Sequence, residues 1–167
     1  DNLTGYVTAM DTSPITYAYN WYNGSSLNAT TLITDGLSAY LPLNNDTLDY
    51  YGSYDGANYG ATGDTDSYAV GASYDFDGSS YINLPSDSFK TYTEGAVSLW
   101  FNSDNGASAY LFTQSIPALN YDYMGLIVSS DGSIYGVLRA YSVTGVSYDW
   151  RIQTTDGNYR AGEWNHV

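Results

Sequence analysis

Apolar residues in this chain come in short bursts separated by polar turns. Residues 15–22 (ITYAYNWY) alternate, with Ile15, Tyr17, Tyr19 and Trp21 on one side of an extended segment that stops at Asn23-Gly24. Residues 36–43 (GLSAYLPL) follow, with Leu37, Ala39, Leu41 and Leu43 in phase. The stretch 44–67 holds hardly an aliphatic and reads as one long loop. Strands are expected again at 68–76 and 80–84, joined as a hairpin across Asp77-Gly78. Residues 96–102 (AVSLWFN) suit a strand buried on both faces, with Trp100 as a core residue. Further strands are expected at 109–114, 124–129 and 133–140, the last two joined across Asp131-Gly132, then at 146–154 and from 164 to the end. This is about ten strands with no helix, the spacing of an antiparallel all-β sandwich or barrel. No segment repeats at a fixed period.

Composition strengthens that picture. Sixteen of the eighteen acids are Asp, and Lys and Arg number four. Helix surfaces need Glu, Lys, Arg and Gln, whereas Asp, Asn and Gly belong to turns. Val, Ile, Leu and Phe make up 32 of 167 residues, a content near that of disordered chains. Twenty tyrosines and four tryptophans offset the shortage, because each ring can bury about 150–250 Å² while keeping a polar handle. Most tyrosines are therefore expected in the core or in cross-strand pairs.

A formal charge of −14 excludes the usual footprint of a nucleic-acid binder, which needs clustered Lys and Arg to neutralise phosphates. It also disfavours anionic membranes, and no run approaches the roughly twenty apolar residues of a membrane-spanning helix. With no cysteine there is neither a disulfide framework nor a thiolate metal site. The start at Asp1 reads as that of a processed or excised piece.

From Gly36 onward the order of motifs resembles the concanavalin A-like, laminin-G-like jelly roll of microbial cell-surface proteins. The resemblance is carried by GLSAYLPLNND (36–46), DGANYGAT (55–62), GASYDFDGSSYINLP (71–85), EGAVSLWFN (94–102) and GEWNHV (162–167). It implies a jelly-roll sandwich over 36–167, incomplete at its C-terminal end because further strands of the family pattern have no counterpart before Val167. Residues 1–35 then form an N-terminal arm and polar linker, of which 11–27 resemble the end of an Ig-like surface repeat.

Several residue sets are candidates for function. Asn2, Asn23, Asn28 and Asn45 each head an Asn-x-Ser/Thr acceptor for N-glycosylation, with a plain polar surface as the alternative. Asp64, Asp66, Asp75 and Asp77 pair carboxylates on extended segments, and hard oxygen ligands from loops suit Ca²⁺. Laminin-G-like domains often carry Ca²⁺ at a sandwich rim, although Asp-Gly turns need no metal. Tyr50, Tyr51, Tyr54 and Tyr59 could stack on sugar rings. Ile15, Tyr17, Tyr19 and Trp21 form a detached strand suited to donation to another subunit.

Catalysis finds little support, because the Glu-x-Asp-x-x-Glu strand motif of glucanases with this fold is absent and Glu94 and Glu163 are far apart. His166, the single histidine, falls on a structural motif of the family. The expectation is a non-catalytic, glycosylated extracellular protein. It would be a building block of a cell-surface fibre or adhesin, its partners being copies of itself in a head-to-tail polymer or neighbouring surface domains. A Ca²⁺-assisted, lectin-like glycan-binding module is the alternative.

Overall fold

A computed structural model describes residues 35–69, 71–85, 88–89, 92, 94–103, 108–115, 123–141, 147–154 and 159–167, together with the backbone of strands at 20–23 and 26–30. Every regular element among these residues is a β-strand, and every strand pairing is antiparallel. The chain divides into two compact units, Asp1–Tyr92 and Thr93–Val167. The boundary expected near residue 35 falls inside the first of them.

In the first unit, β1 (Asn20–Asn23) pairs with β2 (Ser26–Thr30), from Asn20 opposite Thr30 to Asn23 opposite Ser26. Strand β1 is the end of the alternating segment; β2 lies in the tract expected to be a polar linker. The strand expected at 36–43 does not form. Three local features explain this. Pro42 has no N–H for a ladder, Leu43 and Asn45 adopt left-handed φ of 56° and 69°, and the Tyr40 N–H is taken by the Asp49 carboxylate at 2.9 Å.

The expected 44–67 loop contains two short strands, β3 (Ala57–Tyr59) and β4 (Thr62–Asp64). Strand β3 pairs with β6 (Tyr81–Asn83), and β4 with β5 (Ser73–Asp75), so the pairs nest as one interrupted hairpin. Asp77-Gly78 therefore does not join two strands that pair with each other. It sits in an excursion of the returning strand, closed by the Asp77 side chain. Asp77 Oδ1 accepts the N–H groups of Ser79 and Ser80 and the Ser79 hydroxyl, while Ser80 Oγ accepts the Asp77 N–H. Gly78 supplies the φ of 88° that this turn requires. A side-chain turn has displaced the backbone turn that the same dipeptide usually makes.

In the second unit, β8 (Ala109–Ser115), β9 (Tyr123–Val128), β10 (Ile134–Tyr141) and β11 (Ser147–Gln153) form a sheet of order β11-β10-β9-β8. The hairpin expected at Asp131-Gly132 is present between β9 and β10. Ser129 donates to Ser133 O and Gly132 to Ser129 O, both at 2.9 Å, with Gly132 at φ 86°. That is a three-residue loop with glycine in the left-handed position. Strand β7 (Trp100–Asn102) pairs with β12 (Trp164–His166).

The core of this unit is Phe101, Val128 and Tyr159, with Leu99, Leu111, Ile134, Ala161 and Val167 packed against them. The inner side of the β7–β12 ladder thus lies on one end of a face of the four-stranded sheet. Trp100 is not a core residue: it is 52% exposed, while its neighbour Phe101 is 6% exposed. Alternation explains the reversal, since Leu99 and Phe101 point inward and Ser98, Trp100 and Asn102 outward. Tyr159 is the buried tyrosine among the described residues, and nine others, including Tyr40, Tyr81 and Tyr148, are exposed.

Candidate functional site

The loop 40–55 is organised by carboxylates turned toward backbone N–H groups. Asp49 accepts from Tyr40, Tyr51 and Gly52 through Oδ1 and from Tyr54 through Oδ2, at 2.9–3.1 Å. Desolvation opposes its ionisation, but these four N–H groups outweigh it and hold the Asp49 pKa below 3.8. Asp55 Oδ1 accepts the Asp49 N–H, and Asp46 accepts the Leu48 N–H and the Tyr50 hydroxyl. The hydrogen bond to Asp46 raises the Tyr50 phenol above its ordinary value. A side chain at Gly52 would meet Asp49 Oδ2 and the Ser38 carbonyl, each 2.6 Å away.

Of the tyrosines proposed to stack on glycans, Tyr50, Tyr51 and Tyr59 are exposed. Tyr59 is stacked on Tyr81 across the β3–β6 ladder, ring centroids 4.9 Å apart. Tyr54 is partly buried against Phe89 at 5.2 Å, and Phe89 touches Tyr92 in turn. Tyr54 and Tyr92 share a hydrogen bond that raises the first phenol, while Ser38 and Tyr54 lower the second. The four tyrosines therefore divide between exposed rings and a small structural cluster.

The four candidate calcium ligands do not converge. Asp64 Oδ1 accepts the N–H groups of Asp66 and Ser67, and Asp77 closes its own turn. Asp64 faces Ser73 and Asp75 faces Thr62, at opposite ends of the β4–β5 ladder. Among the described residues no three His, Cys, Asp or Glu side chains gather as a metal site. Of the sequon asparagines, Asn45 is exposed, Asn23 and Asn28 lie on β1 and β2, and Asn2 is outside the described residues. Trp21 lies on β1 opposite Ala29, whereas Ile15, Tyr17 and Tyr19 are outside the described residues.

Two features escaped the sequence reading. The outer side of the β7–β12 ladder carries Trp100 and His166, ring centroids 5.0 Å apart, with His166 Nε2 2.9 Å from Ser98 Oγ. Both Ser98 and His166 are exposed, and among the described residues no carboxylate is hydrogen-bonded to His166. Among the described residues no orienting third group of a nucleophilic triad joins this pair.

The second feature is the pair of unlike faces on the four-stranded sheet. Register places Met124, Leu126, Val128, Ile134, Leu138, Tyr148, Trp150 and Ile152 on one face. The Val128 end is covered, but Met124, Leu138, Tyr148, Trp150 and Ile152 are 41–78% exposed. Tyr148 and Trp150 stack at 5.9 Å. The other face holds Tyr123, Tyr135, Arg139, Asp149 and Arg151. Arg139 grips both Asp149 oxygens, at 2.6 and 2.8 Å, and lies over the Tyr123 ring. That grip lowers the Asp149 pKa. Searches against protein-family models, curated proteins and solved structures each returned no match.

Proposed function

We propose that this chain is a non-catalytic extracellular protein, a glycosylated building block of a cell-surface fibre in which another chain completes its sheets. The observation that carries this reading is the half-covered face of the β11-β10-β9-β8 sheet. Among the described residues its exposed half carries Met124, Leu138, Tyr148, Trp150 and Ile152 and no charge, in a chain of net charge −14. It reaches β11, which has one strand partner, β10, among the described residues. Contiguous exposed apolar surface beside an open strand edge is where a sheet recruits a further strand or a second layer.

In the finer form of the proposal, the second unit is part of a jelly roll. The β7–β12 ladder is then the first piece of an opposing sheet, packed through Leu99, Phe101 and Val167. The donor is the β1–β2 hairpin with the alternating segment before it, whose strand β1 has one partner, β2, among the described strands. Head-to-tail donation between identical chains gives an open polymer. Deleting residues 1–30 tests this: the remainder is expected to stay folded and lose assembly. A folded remainder that assembles as the whole chain does would reject strand donation.

A further inference from the structure

The polar face of the same sheet carries a shallow cavity of about 200 Å³, lined by Ser108, Ile127, Ser129, Tyr135, Val137 and Arg151. Pockets for drug-sized ligands run about 300–1,000 Å³, so this one suits a single small ring. Ile127 and Val137 give it an apolar floor, and Tyr135 an aromatic wall. The Arg151 guanidinium lies 5.0 Å over the Tyr135 ring, which holds its plane without using its in-plane donors.

Charge sets Arg151 apart. The chain has four bases against eighteen acids. Arg139 and Arg160 are paired with Asp149 and Glu163, whereas Arg151 makes no ion pair among the described residues. Among the described residues two acids bear on it. Asp149 is two residues away on the same face of β11, but both its oxygens are held by Arg139. Asp131 accepts the Ser133 N–H, the Tyr135 hydroxyl and the Ser129 hydroxyl. Among the described residues, then, no carboxylate is paired with the guanidinium fork, although its charge helps to lower the Asp149 pKa. Ser108 Oγ accepts the Ser130 N–H, so its own hydroxyl proton remains to be donated. Ser129, donating to Asp131, keeps an oxygen that can accept.

We infer that this cavity binds a uronic-acid residue of an acidic polysaccharide. Its carboxylate lies on the Arg151 fork, its hydroxyls on Ser108 and Ser129, and its C–H face on Ile127, Val137 and Tyr135. A neutral hexose leaves the guanidinium unmatched. An acidic peptide side chain leaves the apolar floor and the hydroxyls unused. The inference is independent of assembly, since it concerns the opposite face of the sheet.

Calorimetric titration of the whole chain with oligogalacturonate, and with the same oligomer fully methyl-esterified, tests it. The acid form is expected to bind at least tenfold more tightly than the ester. Arg151→Gln should lose at least tenfold in affinity with an unchanged melting temperature. Arg151→Lys, which keeps the charge but not the fork, should lose several-fold. Absence of binding, equal binding of acid and ester, or full binding by Arg151→Gln would overturn the inference. Equally tight binding of a poly-aspartate peptide would overturn it in favour of an acidic-peptide site.

Discussion

Aspartate in this protein works as a fastener more than as a surface charge. Asp49, Asp64, Asp77 and Asp131 each accept backbone N–H groups from residues just downstream, fixing turns in a chain short of aliphatic packing. Asp49 binds the most, and Asp49→Ala should lower stability by about 1–2 kcal/mol, the lower part of the range for orphaned donors because water reaches the loop. Chemical denaturation read by circular dichroism measures it; an unchanged midpoint would deny Asp49 its organising role. Gly52→Ala should act in the same direction, through the collision with Asp49 and the Ser38 carbonyl.

Asp77 gives a pH signature. Hydrogen bonds from the Ser79 N–H and hydroxyl, then from Ser80, hold its pKa at about 2, below the ordinary 3.8 of an aspartate. A carboxylate with a depressed folded pKa contributes stability above its unfolded pKa and loses it as pH falls through the folded one. The stability difference between the parent and Asp77→Asn should therefore be constant above about pH 5 and shrink between about pH 4 and pH 2. Urea midpoints across that range test this, and a difference independent of pH would reject it. These roles were only partly legible in the sequence. Asp-Gly pairs announced turns at 77–78 and 131–132, but which turn formed depended on whether the carboxylate or the backbone took the next N–H.

Among the elements, periodicity located the strands of the second unit closely, because β9, β10 and β11 alternate over six or more residues. It failed where the runs are three residues long. Strands β3 and β4 carry Gly, Asn and Thr and form because β5 and β6 return alongside them, a pairing no local pattern encodes. It also failed on phase. The run AVSLWFN has apolar residues at successive positions, so alternation could not choose between Trp100 and Phe101; packing on Val128 and Tyr159 chose Phe101. Phe101→Ala should cost about 3–5 kcal/mol, as removal of a buried phenylalanine does. Trp100→Ala, at an exposed position, should cost roughly 1 kcal/mol or less. Thermal melts of the two variants compare them, and equal losses would contradict the assigned phase. For the candidate sites, the chemistry of Arg151 and Tyr135 was invisible because it rests on the β10–β11 register, which sets Val137 opposite Arg151.

At the scale of the whole molecule, charge and apolar surface are separated. Among the described residues, acids stand in turns of both units and on β4, β5 and β11, while the exposed half of one sheet face carries no charged side chain. A chain of −14 repels its copies at long range, so association through that face should strengthen as salt screens the repulsion. Light scattering over a salt series reads this, and association that weakens with salt would point to a polar interface instead.

The most direct test of the assembly reading is sedimentation velocity on the parent chain and on a Leu138→Glu/Ile152→Glu variant over a concentration series. The two changes place charge on the uncovered face without touching Phe101, Val128 or Tyr159. The parent is expected to sediment as growing oligomers and the variant as a folded monomer. A parent that stays monomeric throughout, or a variant that assembles equally well, would contradict the account.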